Sequence, residues 1–265
     1  MDILNNTTDL DFFFSSLSKI NDRILMLDYD GTLSPFTSER NKAYPYTGIE
    51  ERLNTIIDAG NCRVIIITGR TIEDLLKLIH FRSTPEIWGS HGLEQLTPDG
   101  TYSKIPLECG IKEGLKAYED ALRLNNLLKY CEMKASSIAV HWRGCSTSEI
   151  NDINTKIAAI STRIKNKDIL VSDFDGGKEI RIRSVNKGVA VNKVMVDSAE
   201  PFVAAYLGDD LTDEDAFKQL GQRGLKVLVR KVLRDTLADI WLEPPDELIW
   251  FLKKWEKTCR NKKPA

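Results

Sequence analysis

Two carboxylates, one residue apart, follow a short aliphatic run near the beginning of the chain. Ile24 to Leu27 are four consecutive aliphatic residues, a run too short for a helix and typical of a buried strand in a parallel sheet. Asp28 and Asp30 would then lie at the carboxyl end of this strand, where α/β proteins bind ligands, and Gly31 allows a sharp turn. The pattern indicates chemistry by carboxylates, although an Asp-rich turn without function has the same composition.

A second acidic group follows another aliphatic run, Phe202 to Leu207. Its members are Asp209, Asp210, Asp213, Glu214 and Asp215. Acidic residues are common at the start of a helix, so one carboxylate there would mean little. Bringing the whole group next to Asp28 and Asp30 would cost several kcal/mol of repulsion unless a cation lay between them. Because hard carboxylate oxygens suit Mg²⁺, the sequence predicts a magnesium ion between the two acidic groups.

A third run, Arg63 to Ile67, ends in Thr68, Gly69 and Arg70. A hydroxyl at a strand end, beside the helix that Thr71 can cap, is suited to contact a phosphate. Thr68 is explained equally well as a plain capping residue, so its residue type alone leaves both readings open.

Composition limits the classes of partner. The 265 residues are 42% hydrophobic, enough for a sizeable core, and the formal net charge of -2 provides no basic surface for nucleic acid or an anionic membrane. The five cysteines form no CxxC pair, which argues for reduced thiols. No apolar run approaches the roughly 18 residues that would span a bilayer, and the first residues do not resemble a signal peptide. We therefore expect a cytoplasmic protein that binds neither nucleic acid nor membrane.

Strand-like and helix-like segments alternate along most of the chain, which predicts an α/β fold with a parallel sheet. The predicted strands run over 24–27, 63–67, 86–89, 131–134, 138–142, 169–172, 179–183, 202–207, 225–229 and 240–242. The predicted helices include 9–19, 48–59, one from Thr71 through Ile79, 111–128 and 148–164. The middle of the chain reads as an antiparallel α+β unit with a turn at Asp175 to Gly177. We predict a core of residues 1–106 and 185–265 with an inserted lid of residues 107–184.

Ionisable side chains recur in the strands of the predicted lid. They are Glu132, Lys134, His141, Arg143 and Glu179. The alternation of side chains along a strand would place several of them on one face of a sheet. From the residues alone, an ordinary solvated face explains them slightly better than a binding surface.

Taken in order, these motifs resemble those of the haloacid dehalogenase superfamily of phosphatases. The matching residues are Asp28-Tyr29-Asp30-Gly31-Thr32, Thr68-Gly69-Arg70, Lys187, and Gly208-Asp209-Asp210 with Asp213. More narrowly, the chain is similar to trehalose-6-phosphate phosphatases. The further residues that carry this likeness are Leu33 to Pro35, His91-Gly92-Leu93-Glu94, Glu132-Met133-Lys134 and His141-Trp142-Arg143. The resemblance covers most of the chain and implies a Rossmann-like core with an inserted α+β cap of the C2 type.

The resemblance also implies a mechanism. Asp28 would be the nucleophile that forms an aspartyl-phosphate, Asp30 the general acid and base, and Thr68 and Lys187 contacts of the phosphoryl oxygens. The implied substrate-binding residues are Gly69, Arg70, His91, Lys134, His141, Arg143 and Glu179. The implied Mg²⁺ ligands are Asp28, the backbone carbonyl of Asp30, Asp209, and Asp213 either directly or through water. The implied reaction is hydrolysis of trehalose 6-phosphate, with a trehalose-6-phosphate synthase as a candidate partner.

Three alternatives stay open. A phospho-accepting receiver domain also combines a strand-end Asp, an acidic pair, a Thr and a Lys, but it is a single compact domain with no large insertion. A noncatalytic module derived from the phosphatase fold would normally have lost a carboxylate, and this chain has kept them all. A phosphatase for another sugar phosphate would share fold and chemistry, because neither determines the sugar.

Overall fold

The computed structural model describes residues 1–37, 39–134, 136–174 and 176–260. The chain divides into two units, of which the first comprises Met1–Lys104 together with the chain from Lys187 onward. The second unit is Ile105–Asn186, so the predicted lid boundaries each lie two residues inside it. The function of this second unit as a lid stays a prediction.

The secondary structure of the described residues alternates as the sequence predicts. In chain order, the strands are β1 (Asp2–Ile3), β2 (Asp22–Leu27), β3 (Arg63–Ile67), β4 (Glu86–Gly89), β5 (Glu94–Leu96), β6 (Tyr102–Lys104), β7 (Cys131–Met133), β8 (Ser137–His141), β9 (Ile169–Phe174), β10 (Gly177–Ile182), β11 (Phe202–Gly208), β12 (Gly224–Val229) and β13 (Ile240–Leu242). The helices are α1 (Leu10–Lys19), α2 (Ile49–Asp58), α3 (Ile72–Leu76), α4 (Cys109–Leu124), α5 (Thr147–Arg163), α6 (Lys187–Val196), α7 (Glu214–Leu220) and α8 (Asp246–Arg260).

A large sheet organises the first unit. Over the described residues its strand order is β1-β13-β12-β11-β2-β3-β4-β5-β6. The strands from β13 to β4 in this order run parallel, and antiparallel strands pair at each edge. Because β11, β2 and β3 are neighbours at the centre, their carboxyl ends bring Asp209, Asp28 and Thr68 to one edge of the sheet.

Both faces of the parallel strands are covered, which explains why these strands are mainly apolar. One face packs against α1, α2, α3 and α8 through residues such as Leu17, Leu53 and Trp255. The other face packs against α6 and α7, where Val191 and Phe217 meet Met26 and Tyr206. These two layers hold the strand ends of the first unit in place.

The second unit is a four-stranded antiparallel sheet, in the order β7-β8-β10-β9 among the described residues, with α4 and α5 on one face. Alternate residues such as Ile138, Val140 and Ile180 face the helices and form a core with Tyr118 and Ile157. The residues between them in sequence therefore belong to the opposite face of this sheet.

The α/β class predicted from the sequence is confirmed, and the differences are local. The helix expected to include Ile79 ends at Leu76, and the helix predicted to reach residue 128 ends at Leu124. In the predicted turn before β10, Asp175 lies outside the described residues. Within the described part of the chain, the search for a helix of bilayer-spanning length and apolarity finds none.

Candidate active site

Asp28 lies directly after β2, at the centre of the sheet, and is almost fully buried. Its backbone N–H donates to the carbonyl of Leu207 on β11 at 2.8 Å, which fixes the start of the loop. Lys187 Nζ donates to Asp28 Oδ1 at 2.6 Å, and the Thr32 hydroxyl lies 3.4 Å from the other oxygen. Burial raises the pKa of Asp28 to about 7, even though the charge of Lys187 opposes that shift.

Lys187, the first residue of α6, bridges two buried carboxylates. Its Nζ lies 2.6 Å from Asp28 Oδ1 and 2.8 Å from Asp213 Oδ1. Burial would lower the pKa of Lys187, but the adjacent Asp213 and Asp28 carboxylates outweigh burial and raise the pKa above its ordinary value. A permanently charged ammonium group beside Asp28 is suited to stabilise negative charge on a phosphoryl group.

Asp213 accepts four hydrogen bonds and is completely buried. Lys187 Nζ and the Tyr206 hydroxyl, the latter at 2.6 Å, donate to one oxygen. The backbone N–H groups of Asp209 and Asp210 donate to the other oxygen at 3.0 and 2.9 Å. This carboxylate therefore shapes the loop after β11 and holds Lys187. Asp213 is expected to bind a metal ion either directly or through a water molecule. Because its oxygens already accept four hydrogen bonds, binding through water is favoured.

The residues present fit a divalent metal ion. One carboxylate oxygen from each of Asp28, Asp209 and Asp213 lies within 4.8 Å of the others. Asp209 Oδ1 is buried and has no hydrogen-bond partner within the described residues. Burial, followed by the charges of Asp28 and Asp213, raises the pKa of Asp209 well above its ordinary value. A cation would satisfy the unpartnered oxygen and offset this repulsion, and oxygen-only donors suit a hard ion such as Mg²⁺.

Gly31 makes room for this acidic cluster. Its φ of +84° is a left-handed conformation, and a Cβ at this position would lie 2.1 Å from Asp209 Oδ2. A side chain at residue 31 would therefore be strained and would also displace the Asp209 carboxylate.

Asp30 and Arg70 are paired with each other. Arg70 Nε donates to Asp30 Oδ2 at 2.7 Å, and Arg70 Nη2 donates to Asp30 Oδ1 at 2.6 Å. The sequence assigned Arg70 to substrate binding, and here its guanidinium group is engaged with the proposed acid and base. Thr68 is buried after β3, and its hydroxyl accepts a hydrogen bond from the Arg70 N–H at 3.1 Å.

Gly69 and His91 are packed together. A Cβ at residue 69 would lie 2.6 Å from the His91 imidazole, so only glycine fits beneath this ring. The His91 N–H donates to the Thr68 carbonyl at 2.9 Å. Glu94, which follows in the same motif, accepts from the Ile72 N–H at 3.0 Å and so caps α3. This motif therefore supports the loop that carries Thr68.

The other predicted substrate-binding residues belong to the second unit. Glu179 is buried and accepts a hydrogen bond from the Ser137 hydroxyl at 2.7 Å, with Lys134 Nζ 3.6 Å from the same oxygen. His141 Nε2 lies 3.0 Å from Glu132 Oε2. In the register of β7, β8 and β10, these residues share the sheet face opposite α4 and α5. The structure thus collects Glu132, Lys134, His141 and Glu179 into one polar surface.

Arg143 lies two residues beyond β8 and is exposed, with its side chain beside Gly176 at the β9–β10 turn. Sequence reasoning missed three polar residues on the same face, namely Ser137, Ser172 and Arg181. Arg181 Nε donates to the Ser172 hydroxyl at 3.3 Å. Side chains alternate between the two faces of a strand, so the position of Glu179 on β10, extended to the paired residues of β8 and β9, would have predicted these three residues.

Comparison with known proteins identifies the family of this chain. A family model described as trehalose-phosphatase matches residues 26–240. The trehalose-phosphate phosphatase of Mycobacterium tuberculosis is 30% identical over 253 residues, covering 89% of this chain and 62% of that protein. Trehalose-phosphate phosphatase B of Arabidopsis thaliana is also 30% identical over 253 residues, covering 87% of this chain and 65% of that protein. The chain thus spans less than two thirds of the length of these relatives.

Solved structures share the fold at lower identity. The C-terminal domain of Candida albicans trehalose-6-phosphate phosphatase superposes with a TM-score of 0.80 at 20% identity, covering 98% of this chain and 99% of that one. A haloacid dehalogenase-like hydrolase from Bacillus subtilis superposes with a TM-score of 0.61 at 15% identity, covering 87% and 99%. The fold is therefore that of the haloacid dehalogenase superfamily. Since the family model matches most of the chain, including both acidic loops, this protein belongs to the trehalose-phosphatase family.

Proposed function

We propose that this protein is a Mg²⁺-dependent phosphatase that hydrolyses trehalose 6-phosphate through an aspartyl-phosphate. The observation that carries the proposal is the buried Asp28 carboxylate, held by Lys187 within one cluster with the unpartnered oxygen of Asp209. A buried carboxylate nucleophile, a fixed cation and a carboxylate oxygen suited to bind a metal ion support phosphoryl transfer to Asp28.

The reaction has two steps, and atoms and charges balance in each. In the first step, an Asp28 oxygen forms a bond to phosphorus, the bond from phosphorus to the sugar oxygen breaks, and Asp30 donates a proton to that oxygen. In the second step, water attacks phosphorus, Asp30 takes the proton from this water, and the bond to Asp28 breaks. Inorganic phosphate leaves, and both aspartates return to their starting states.

The neighbouring residues prepare the site for this charge transfer. Lys187 and the Thr68 hydroxyl would contact the phosphoryl oxygens, and Asp213 holds Lys187 in place. Asp28, Asp209 and the backbone carbonyl of Asp30 would hold Mg²⁺, which when bound neutralises charge between the phosphate and its nucleophile. Asp213 would contribute through water, because its oxygens already accept four hydrogen bonds.

The second unit would supply the sugar contacts as a lid. Its polar sheet face carries Lys134, His141 and Glu179, and Arg143 lies beyond the end of β8. Acidic and basic groups of this kind pair well with sugar hydroxyls in a closed site. Trehalose 6-phosphate is the preferred substrate because the relatives are named for it, and another sugar phosphate is the runner-up.

A noncatalytic role is the second candidate. The C-terminal domain of the Candida albicans trehalose synthase regulatory protein has the same fold, with a TM-score of 0.69 at 12% identity over 95% of this chain and 99% of that one. The complete acidic cluster here favours catalysis. That regulatory domain gives a loose reason to test a trehalose-6-phosphate synthase as a partner. A cytoplasmic location, which the five free thiols favour, stays a prediction.

A phosphate-release screen tests the proposed function. Purified protein is incubated with Mg²⁺ and a panel of sugar phosphates that includes trehalose 6-phosphate, glucose 6-phosphate and sucrose 6-phosphate. We expect trehalose 6-phosphate to have the highest kcat/KM. Preference for another sugar phosphate would support the runner-up, and no release from any member would favour the noncatalytic role.

A further inference from the structure

The pairing of Arg70 with Asp30 joins two motifs that are 40 residues apart. Both oxygens of Asp30 accept a hydrogen bond, one from Nε and one from Nη2 of the same guanidinium group, at 2.7 and 2.6 Å. Such a two-point pair fixes the orientation of the carboxylate as well as its position. Asp30 needs this restraint, because its side chain is 33% exposed whereas that of Arg70 is only 3% exposed.

Arg70 is itself held in place by several contacts. Its N–H donates to the Thr68 hydroxyl at 3.1 Å, and its carbonyl accepts from the Ser90 N–H at 2.6 Å. Its guanidinium carbon lies 5.6 Å from the centre of the Tyr29 ring. Tyr29 is fully buried and donates its hydroxyl to the Ala43 carbonyl at 2.7 Å. The arginine therefore presents its donors from a fixed direction.

The loop before β5, together with the first residue of β5, also contacts the segment that carries Arg70. The His91 N–H bonds to the Thr68 carbonyl, the His91 ring packs over Gly69, and Glu94 bonds to the first residue of α3. A continuous set of contacts thus runs from this loop, through residues 68–70, to the Asp30 carboxylate. None of these contacts needs a substrate in order to form.

We propose that Arg70 is a positioning residue that aims the Asp30 carboxylate at the leaving group, and that it is not a ligand of the phosphate or sugar. The proposal rests on the proposed function. It adds an explanation of how Asp30, the general acid and base, is oriented. Each Asp30 oxygen accepts one bond from Arg70, which leaves a second position for the proton that Asp30 gives to the sugar oxygen and later takes from water. A general acid must lie within hydrogen-bond reach of its target, so a carboxylate that can rotate would lose much of its effect.

The test compares substrates that differ in their need for a proton. A sugar alkoxide needs protonation to leave, whereas a nitrophenolate does not. For the first, bond-breaking step, which kcat/KM reports, Asp30→Asn should therefore lower the value for the sugar phosphate by about 100-fold or more and leave nitrophenyl phosphate nearly unchanged. Arg70→Ala should reproduce this pattern, with a loss of about tenfold or more on the sugar phosphate alone. The ratio of the two values does not depend on the fraction of folded enzyme.

A double-mutant cycle separates positioning from substrate binding. If Arg70 acts only through Asp30, Arg70→Ala should cause no further loss in the Asp30→Asn background. Added guanidinium ion should partly restore kcat/KM in Arg70→Ala and not in the double variant. The matched control is Arg82→Ala, which removes an exposed Arg–Asp pair elsewhere in the first unit. This variant should leave kcat/KM unchanged for both substrates.

Two results would overturn the inference. The first is an equal loss on both substrates in Arg70→Ala, as expected of a phosphate ligand. The second is additivity of the two substitutions. If the wild-type protein releases phosphate from no sugar phosphate, the proposed function fails instead, and that outcome is visible before any variant is made.

Discussion

At the scale of single residues, Asp28 is prepared for attack by contacts that exist without substrate. Lys187 and Thr32 each approach one of its two oxygens, and burial keeps bulk water away. An asparagine would fill nearly the same volume, and its amide oxygen could still accept the bond from Lys187, but its amide cannot form a stable acyl-phosphate.

Asp28→Asn should therefore abolish turnover while preserving the fold. We expect kcat to fall by about 1000-fold or more, with a melting temperature close to that of the wild type. Phosphate release and thermal unfolding of the same preparation measure the two effects. Asp58→Asn, at an exposed residue outside the site, is the matched control. Substantial turnover by Asp28→Asn would rule out the covalent mechanism.

Gly31 can be tested against a glycine with the same backbone conformation. Gly31 and Gly48 have φ values of +84° and +87°, but a Cβ at Gly48 would meet nothing within 4 Å. Gly48→Ala should cost about 1–2 kcal/mol of unfolding free energy through backbone strain alone. Gly31→Ala should cost more and should also weaken Mg²⁺ binding, because the new methyl group displaces Asp209. Urea unfolding and calorimetric titration with Mg²⁺ provide the comparison, and equal behaviour of the two variants would contradict it.

At the scale of elements, the parallel strands were the most predictable part of the fold. Strands such as β3 and β11 are mainly apolar because both faces are covered, and this pattern depends on local sequence. The two-residue β1 could not be predicted, since it exists only by pairing with β13 from the far end of the chain. The apolar spacing predicts a helix that includes Ile79, but α3 ends at Leu76. Ile79 lies in the loop that follows α3 and is buried there, so its burial does not require a helix.

The candidate site shows the same division between local and distant causes. Residue types and strand ends were enough to predict that Asp28 and Asp209 come together. The partner of Arg70 and the four donors to Asp213 were not predictable, because they depend on how loops from distant motifs meet. Motif spacing therefore indicates which residues gather, while side-chain orientation decides which of them contact the substrate and which contact each other.

The polar face of the second sheet leads to a prediction about substrate choice. Lys134→Ala or Glu179→Ala should lower kcat/KM for trehalose 6-phosphate by roughly tenfold or more, because the remaining partner of a sugar hydroxyl is left unpaired. If these groups contact the sugar as proposed, nitrophenyl phosphate, which has no sugar, should be hydrolysed almost normally. Lys178→Ala is the control, since Lys178 is paired with Asp173 and alternates with Glu179 along β10. An equal loss on both substrates would assign these residues to structural support.

At the scale of the whole molecule, the metal site should couple to stability. A ligand that binds only the folded state at about 100 times its Kd adds about 2.7 kcal/mol of unfolding free energy. In a chain of this size this corresponds to a rise in melting temperature of roughly 5–10 °C. We expect Mg²⁺ to produce such a rise, Ca²⁺ to produce a smaller one, and EDTA to reverse both and abolish activity.

The Asp209→Asn variant provides the control for this thermal shift. It should melt at a temperature that Mg²⁺ changes little, because a neutral amide in place of the Asp209 carboxylate is a much weaker ligand for a hard divalent ion. The two units have separate apolar cores and can therefore melt in separate transitions. In that case, Mg²⁺ should raise the melting temperature of the first unit only. A full Mg²⁺ shift in Asp209→Asn would place the ion elsewhere.

The division of the chain between Asn186 and Lys187 also bears on how such a protein could be shortened or extended by gene fusion. Lys187 is the first residue after the return from the second unit, and it begins α6. A deletion that joins residue 104 to residue 187 keeps Lys187, the partner of Asp28, in the sequence, whereas one that resumes two residues later removes it. Conversely, a foreign domain that replaces the second unit should end immediately before this lysine, so that the whole of α6 is retained.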